Sequence, residues 1–288
     1  MSTRAADTTH PAALLSLYGL KWHPFLPGVP VEGLLVPPRT DAFARRVETY
    51  VREGGFAMLT GDPGVGKSAT LRVLHHRLSR MRDVLVRPIE HPQSGVGDFY
   101  RELGDLFGVD LTPRNRWGGF KALRQRWQAH VETTLIRPVL TIDEAQEMPT
   151  CVLSELRLLT SCEYDSRSLL FVLLGGDARL KEKLRCDDLL PLKSRIRAHL
   201  EIEPASPIEL ADGLRHMIAA AGNAQLMTPA VITALTEHAA GNYRTLTQMA
   251  AELLSAAADT DARQIDDKLF FEVFALPQEA PTKGSKRR

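Results

Sequence analysis

Two short stretches carry residue types that handle phosphates. GDPGVGKS, residues 61–68, fits G-x-x-x-x-G-K-[S/T] through Gly61, Gly66, Lys67 and Ser68. Glycines let a backbone close around phosphate oxygens with its N–H groups pointing inward, and the helix that follows adds the positive potential of its N-terminus. In this reading Asp62, Pro63, Gly64, Val65 and Ala69 complete the cradle. Lys67 contacts the β- and γ-phosphates of a nucleoside triphosphate, and the Ser68 hydroxyl is a ligand for Mg²⁺. The second stretch, PVLTIDEAQ at 138–146, is an apolar run ending in two carboxylates. Asp143 there suits the Mg²⁺ shell and Glu144 the polarisation of an attacking water. A solvated acidic pair capping a helix is the plainer alternative, and the upstream phosphate loop argues against it. Gln146 and Glu147 read as structural.

Further candidates are less constrained. LLFVLLGGDARL (169–180) ends a strand in Gly175, Gly176 and Asp177. Either Asp177 or the backbone senses a terminal phosphate there, or the segment is a tight strand-to-helix turn. Arg244 opens a helix in GNYRTLTQM (241–249) and is a candidate to reach back over the phosphates. TPRNRWGGFKALRQRWQAH (112–130) holds Arg114, Arg116, Lys121, Arg124 and Arg126 with no acid, interleaved with Trp117 and Trp127. Such a patch suits sequence-independent, salt-sensitive contact with duplex DNA, against the alternative of a solvated helix face. The arginine-rich run 71–87 lies beside the phosphate loop, and KGSKRR at the C-terminus adds basic charge.

These residues need a scaffold. Apolar strands read at 56–60, 84–89, 138–142, 169–174 and 199–203, separated by helical patterns near 39–52, 69–81, 96–107, 117–134 and 150–161. Alternation of this kind predicts an α/β domain, a parallel sheet sandwiched by helices. After Pro204 the pattern turns helical. Ser206-Pro207-Ile208-Glu209 is a capping box with proline at the first helical position, and Thr228-Pro229 repeats the signal. The expected organisation is an N-terminal arm at 1–38, extended or turning, a nucleotide-binding α/β domain at 39–204, an all-α lid at 205–275 and a disordered basic tail at 276–288.

Bulk properties set outer limits. The chain has 288 residues, 44% hydrophobic and 25% charged, with a net charge of +1, so any nucleic-acid contact must come from local patches. Cys151, Cys162 and Cys186 form no C-x-x-C pair and fit neither a zinc site nor a disulfide framework, which suits a reducing cytoplasm. No apolar run is long enough for a bilayer span, and MSTRAADTTH lacks the apolar segment of a signal peptide.

Taken together, the phosphate loop, the DE-ended strand, a later arginine-bearing strand and a helical lid resemble the AAA+ class of P-loop ATPases. YGLKWHPF, EGGFAMLTGDPGVGKS, LTIDEAQEMPTCVLSELRLLT, LLGGDARLKEKL and LKSRIRAHLEIEPAS, in that order, resemble the ATPase domain of general-secretion-pathway A (ExeA-like) proteins. They are similar as well to ATP-binding regulators encoded beside DDE transposases, the TniB and Mu B-like type. The resemblance spans roughly residues 14–275. It implies ATP and Mg²⁺ as cofactors, adenine held near Tyr18 to Phe25, and ATP-dependent assembly of copies into a ring or helical filament. It implies further that an arginine beside the fifth strand acts in trans on a neighbour's nucleotide. Here that is Arg195, with Arg197 in reserve. Secretion-type members usually continue into a membrane span, which these residues do not contain. The expected function is therefore first a cytoplasmic ATPase that assembles on duplex DNA and regulates a transposase, and second an ATPase assisting assembly of cell-envelope complexes.

Overall fold

The computed structural model describes residues 11–111, 115–164 and 166–274. They form two compact units, one from Val36 to Pro204 and the other joining the residues up to Leu35 with those from Ala205 onward.

The first unit is built on a five-stranded parallel sheet. Its strands in chain order are β1 (Gly55–Gly61), β2 (Val84–Ile89), β3 (Arg137–Ile142), β6 (Phe171–Gly176) and β7 (Ile196–Ile202), arranged β2-β3-β6-β1-β7. A small antiparallel hairpin, β4 (Ser161–Cys162) and β5 (Arg167–Ser168), precedes β6. Helices cover both faces, which is why the strands read as continuous apolar runs. Leu140, Ile142, Val172 and Leu174 pack on one side with α4 (Val96–Phe107), α5 (Arg116–Glu132) and α6 (Thr150–Thr160). Ala57, Leu59, Val139 and Leu173 pack on the other with α2 (Pro38–Val51) and α3 (Lys67–Ser79). Proline at its first position starts α2, and Phe43, Val47 and Val51 recur four residues apart on its buried face. Short helices α7 (Ala178–Lys183) and α8 (Leu190–Lys193) link β6 to β7.

Parallel strands send all their C-terminal ends to one edge. Because β6 lies between β1 and β3, the phosphate loop after β1 and the acidic turn after β3 flank the end of β6. Open α/β sheets bind ligands at such an edge. The fourth and fifth large strands are displaced from the expected bounds: β6 runs through Gly175 and Gly176, which pair with Leu59 and Thr60, and β7 begins at Ile196. The glycines are therefore sheet residues rather than a turn.

The second unit is helical, with α9 (Pro207–Ala221), α10 (Pro229–Ala239), α11 (Tyr243–Asp259) and α12 (Asp267–Phe274). The capping box forms as read: the Ser206 side chain accepts from the Glu209 N–H, and the Glu209 carboxylate accepts from the Ser206 N–H at 2.8 Å. Thr228 caps α10, and Asn242 caps α11 through the N–H groups of Arg244 and Thr245. Residues 11–35 belong to this unit. The expectation of an extended arm is corrected over Pro11–Tyr18, which is a helix, α1, with Leu14, Leu15 and Tyr18 turned to the helical core. Leu20 and Phe25 are buried there too. The Lys21 N–H donates to the Ala221 carbonyl at 2.7 Å, Asn223 Nδ2 donates to the Tyr18 carbonyl at 2.9 Å, and the Tyr18 hydroxyl donates to the Ala262 carbonyl at 2.9 Å. The expected basic tail at 276–288 lies outside the described residues. None of the described helices is long and apolar enough to cross a membrane.

Candidate nucleotide site

The loop between β1 and α3 needs its glycines for separate reasons. A Cβ on Gly61 would lie 2.5 Å from the Ile202 carbonyl oxygen and 2.9 Å from a Val65 methyl, so β7 closes on this position. Gly66, which starts α3, has φ of 104°, a left-handed conformation that side chains disfavour. Lys67, only 6% exposed, donates from Nζ to the carbonyls of Gly61 and Asp62, both at 2.9 Å.

One residue further, the Ser68 hydroxyl donates to Asp143 Oδ2 at 2.7 Å. The other oxygen of Asp143 accepts the Glu144 N–H at 2.9 Å, which orients the carboxylate. A hydroxyl and a carboxylate meeting at the end of a phosphate loop are the hard oxygen donors that Mg²⁺ prefers, and the pair fits that ion shared with phosphate oxygens. Glu144 has φ of 52°, a left-handed conformation that costs a non-glycine residue about 1–3 kcal/mol. It leaves the carboxylate exposed at the mouth of the turn.

Residues 61–69, Asp143 and Glu144 thus converge. The other candidates within the α/β unit make contacts of their own. Asp177 caps α7: one carboxylate oxygen accepts the Arg179 N–H and the other Arg179 Nε, both at 2.9 Å. The carboxylate is thus engaged at the start of α7. Gln146, read from sequence as structural, is buried beside Glu144 and donates to its carboxylate. No sequence signal separates it from Glu147. The contact appears only once the turn folds.

Arg195 sits between α8 and β7 and donates to the Pro191 carbonyl, while Arg197 on β7 pairs with Glu53. Arg244 stands exposed in the first turn of α11, in the helical unit. Tyr18 and Phe25, expected near the adenine, are core residues of that same unit.

The basic patch divides. Arg114 lies outside the described residues. Arg116 pairs with Glu155, whose side chain is 4% exposed and also accepts the Tyr100 hydroxyl at 2.7 Å. Arg124 donates to carbonyls at the end of α6 and lies over the Phe120 ring at 5.2 Å. Arg126 donates to the Phe107 carbonyl at the end of α4, and Trp127 is fully buried. Three arginines read as a basic surface thus hold helix ends and a buried acid. Arg116 and Arg126 keep exposed surface beside these contacts, and Lys121 and Trp117 are exposed on α5 as well, the latter 74% exposed and stacked on Phe120.

Comparison with known proteins accords with this geometry. Residues 51–184 match the family model for the AAA domain. General secretion pathway protein A of Aeromonas hydrophila is 31% identical over 208 residues, which cover 71% of this chain. The chain spans only 37% of that relative's length. Among solved structures, Cdc6p from Pyrobaculum aerophilum superposes with a TM-score of 0.68 at 15% identity, covering 84% of this chain and 67% of that one. The ORC1 protein of Aeropyrum pernix, solved in complex with DNA, gives 0.66 at 19% identity over 87% and 67%. These two share the fold. Joined to the phosphate loop, the DE-ended strand and the β2-β3-β6-β1-β7 sheet, the matches establish that the chain belongs to the AAA+ P-loop ATPases and is similar to the general-secretion-pathway A proteins.

Proposed function

We propose that the chain hydrolyses ATP to ADP and phosphate at residues 61–69 with Asp143 and Glu144, and that a second copy completes the site. The observation that carries this reading is the 2.7 Å contact between Ser68 and Asp143, which joins the two motifs. The loop N–H groups and Lys67 hold the phosphates, and Ser68 and Asp143 hold Mg²⁺. When bound, that ion would neutralise charge on the phosphate oxygens. Glu144 orients the attacking water and accepts its proton. Charge that builds on the transferred group is met by preorganised donors, Lys67 from within the chain and Arg195 from a neighbouring copy. Arg244 is the candidate reporter of nucleotide state in the helical unit.

Three variants test this. Lys67→Ala should lose nucleotide binding. Glu144→Gln should bind ATP and not turn it over. Arg195→Ala should bind normally and lose turnover by about 10²- to 10³-fold under assembling conditions, the lower end of what such arginines supply. Wild-type turnover in Glu144→Gln, or a mass that stays monomeric with ATP and its slow analogues, contradicts the proposal.

For the target, our first reading is duplex DNA bound without sequence preference, with assembly in the cytoplasm regulating a DDE transposase. Lys121 and the exposed Trp117 support a contact surface on α5. A specific observation favours a second reading: the 31% identical relative is a secretion-pathway protein, which supports an ATPase assisting assembly of cell-envelope complexes. A gel shift of linear duplex with ATP at low salt separates them. A salt-sensitive shift supports the first, and its absence leaves the second.

A further inference from the structure

The geometry points to Gln146 as the positioning residue for Glu144, tying the water-orienting carboxylate to the end of β6. This rests on the reading of Glu144 given above. Gln146 is 4% exposed, in the turn that follows Glu144. Its Nε2 donates to Glu144 Oε2, and its Oε1 accepts the Asp177 N–H at 3.2 Å. The amide orientation follows from its neighbours. Rotating it by half a turn would set oxygen against carboxylate and NH₂ against N–H, losing both bonds. Among the described residues, no other side chain hydrogen-bonds the Glu144 carboxylate.

The end of β6 explains why this contact comes from another strand's loop. A Cβ at Gly176 would lie 2.7 Å from Gln146 Oε1, and one at Gly175 would lie 2.7 Å from a Leu71 methyl and 3.3 Å from Asp143 Oδ1. Neither position has room for a polar side chain, and the Asp177 carboxylate is turned to Arg179. Gly176 clears the space that the Gln146 amide fills, and Gly175 clears space beside Asp143. The turn carrying Gln146 is fastened from α7: Lys183 Nζ donates to the carbonyls of Gln146 and Met148, the latter at 2.7 Å, and Arg179 pairs with Glu147 at 2.8 Å. Glu144 thus stands in a strained backbone conformation, at φ of 52°, with its carboxylate held by an amide anchored on β6 and α7. A carboxylate fixed in this way is preorganised for the water, and small displacement of such a group is expensive in rate.

The test separates rate from binding and from folding. Gln146→Met keeps length and removes both bonds. It should lower kcat on the order of 10- to 100-fold while affinity for a fluorescent ATP analogue stays within about twofold. Because Gln146 acts through Glu144, the double variant Glu144→Gln/Gln146→Met should be no slower in single turnover than Glu144→Gln alone. Wild-type kcat in Gln146→Met overturns the proposal, as does a further loss in the double variant or a fall in analogue affinity that matches the fall in kcat. If Gln146→Met melts early, Gln146→Glu keeps the side chain's shape and answers the same question: kcat lost with affinity kept supports the assignment, and wild-type kcat overturns it. Wild-type turnover in Glu144→Gln would instead remove the reading of Glu144 on which this depends.

Discussion

At the scale of single residues, the phosphate loop shows how little freedom its positions have. Gly61 is the sharpest case, because what a Cβ would meet at 2.5 Å is the main-chain oxygen of Ile202, which cannot rotate away. Gly61→Ala must therefore move β7 or the loop, at a cost of about 1–3 kcal/mol. Gly95→Ala, at a helix start where nothing lies within 4 Å, should change stability by less than about 0.5 kcal/mol. Thermal unfolding of the two variants checks this, and equal melting temperatures would contradict the close approach. Gly61, Lys67, Ser68, Asp143 and Glu144 were legible in sequence because each motif is contiguous and its chemistry is local. Gln146 was not, since its partner Asp177 lies 31 positions further along the chain. Trp127 misled for a related reason: an aromatic between arginines reads as a stacking surface until packing shows it in the core.

At the scale of elements, strands covered on both faces announce themselves as unbroken apolar runs. The two-residue strands of the β4–β5 hairpin carry no period to detect. Helix α5 was placed correctly within a residue or two, yet its arginines were assigned by charge alone, and charge does not say what a guanidinium faces. Arg116 faces Glu155 at the junction of α4, α5 and α6. Burial, and then the neighbouring Glu155 carboxylate, raise the Tyr100 phenol above its usual 10.0. Arg116→Ala leaves that buried carboxylate with the Tyr100 hydroxyl alone. The cost is about 1–2 kcal/mol, below that of a fully buried pair because the Arg116 side chain is 65% exposed and water can replace it in part. Lys121→Ala, one turn further along the helix, should stay within about 0.5 kcal/mol. Urea titrations of the pair check the contrast. They also decide how a DNA-binding loss is read, since only the Lys121 variant would report on contact without a change in folding. Equal stability of the two would mean that Arg116 belongs to the surface after all.

At the scale of the whole molecule, alternation of strands and helices made the fold class legible, and the capping signals marked where it changes. The place of residues 11–35 in the helical unit was hidden by prolines, which suggested an extended segment although Leu14, Leu15 and Tyr18 keep helical spacing. Each unit also carries a histidine that resists charging. His23 in the helical unit, and His75 and His130 in the α/β unit, are held below the usual 6.5, chiefly by desolvation. Positive neighbours add to it, Arg87 and His76 at His75 and Arg126 at His130. Below pH 6.5 the unfolded chain takes up protons at these rings before the folded one does. Their contribution to stability is therefore complete above that pH and declines as acid approaches their folded values. Asp41 and Asp177, held below 3.8 in the fold, lose theirs only under much stronger acid. The unfolding free energy from urea titration should thus be nearly level between about pH 7 and pH 8, below the range where thiols and phenols titrate, and fall steadily from about pH 6.5 downward. A profile that stays level until the carboxylate range, or rises on acidification, would show that these rings are as well solvated in the folded molecule as in the unfolded chain.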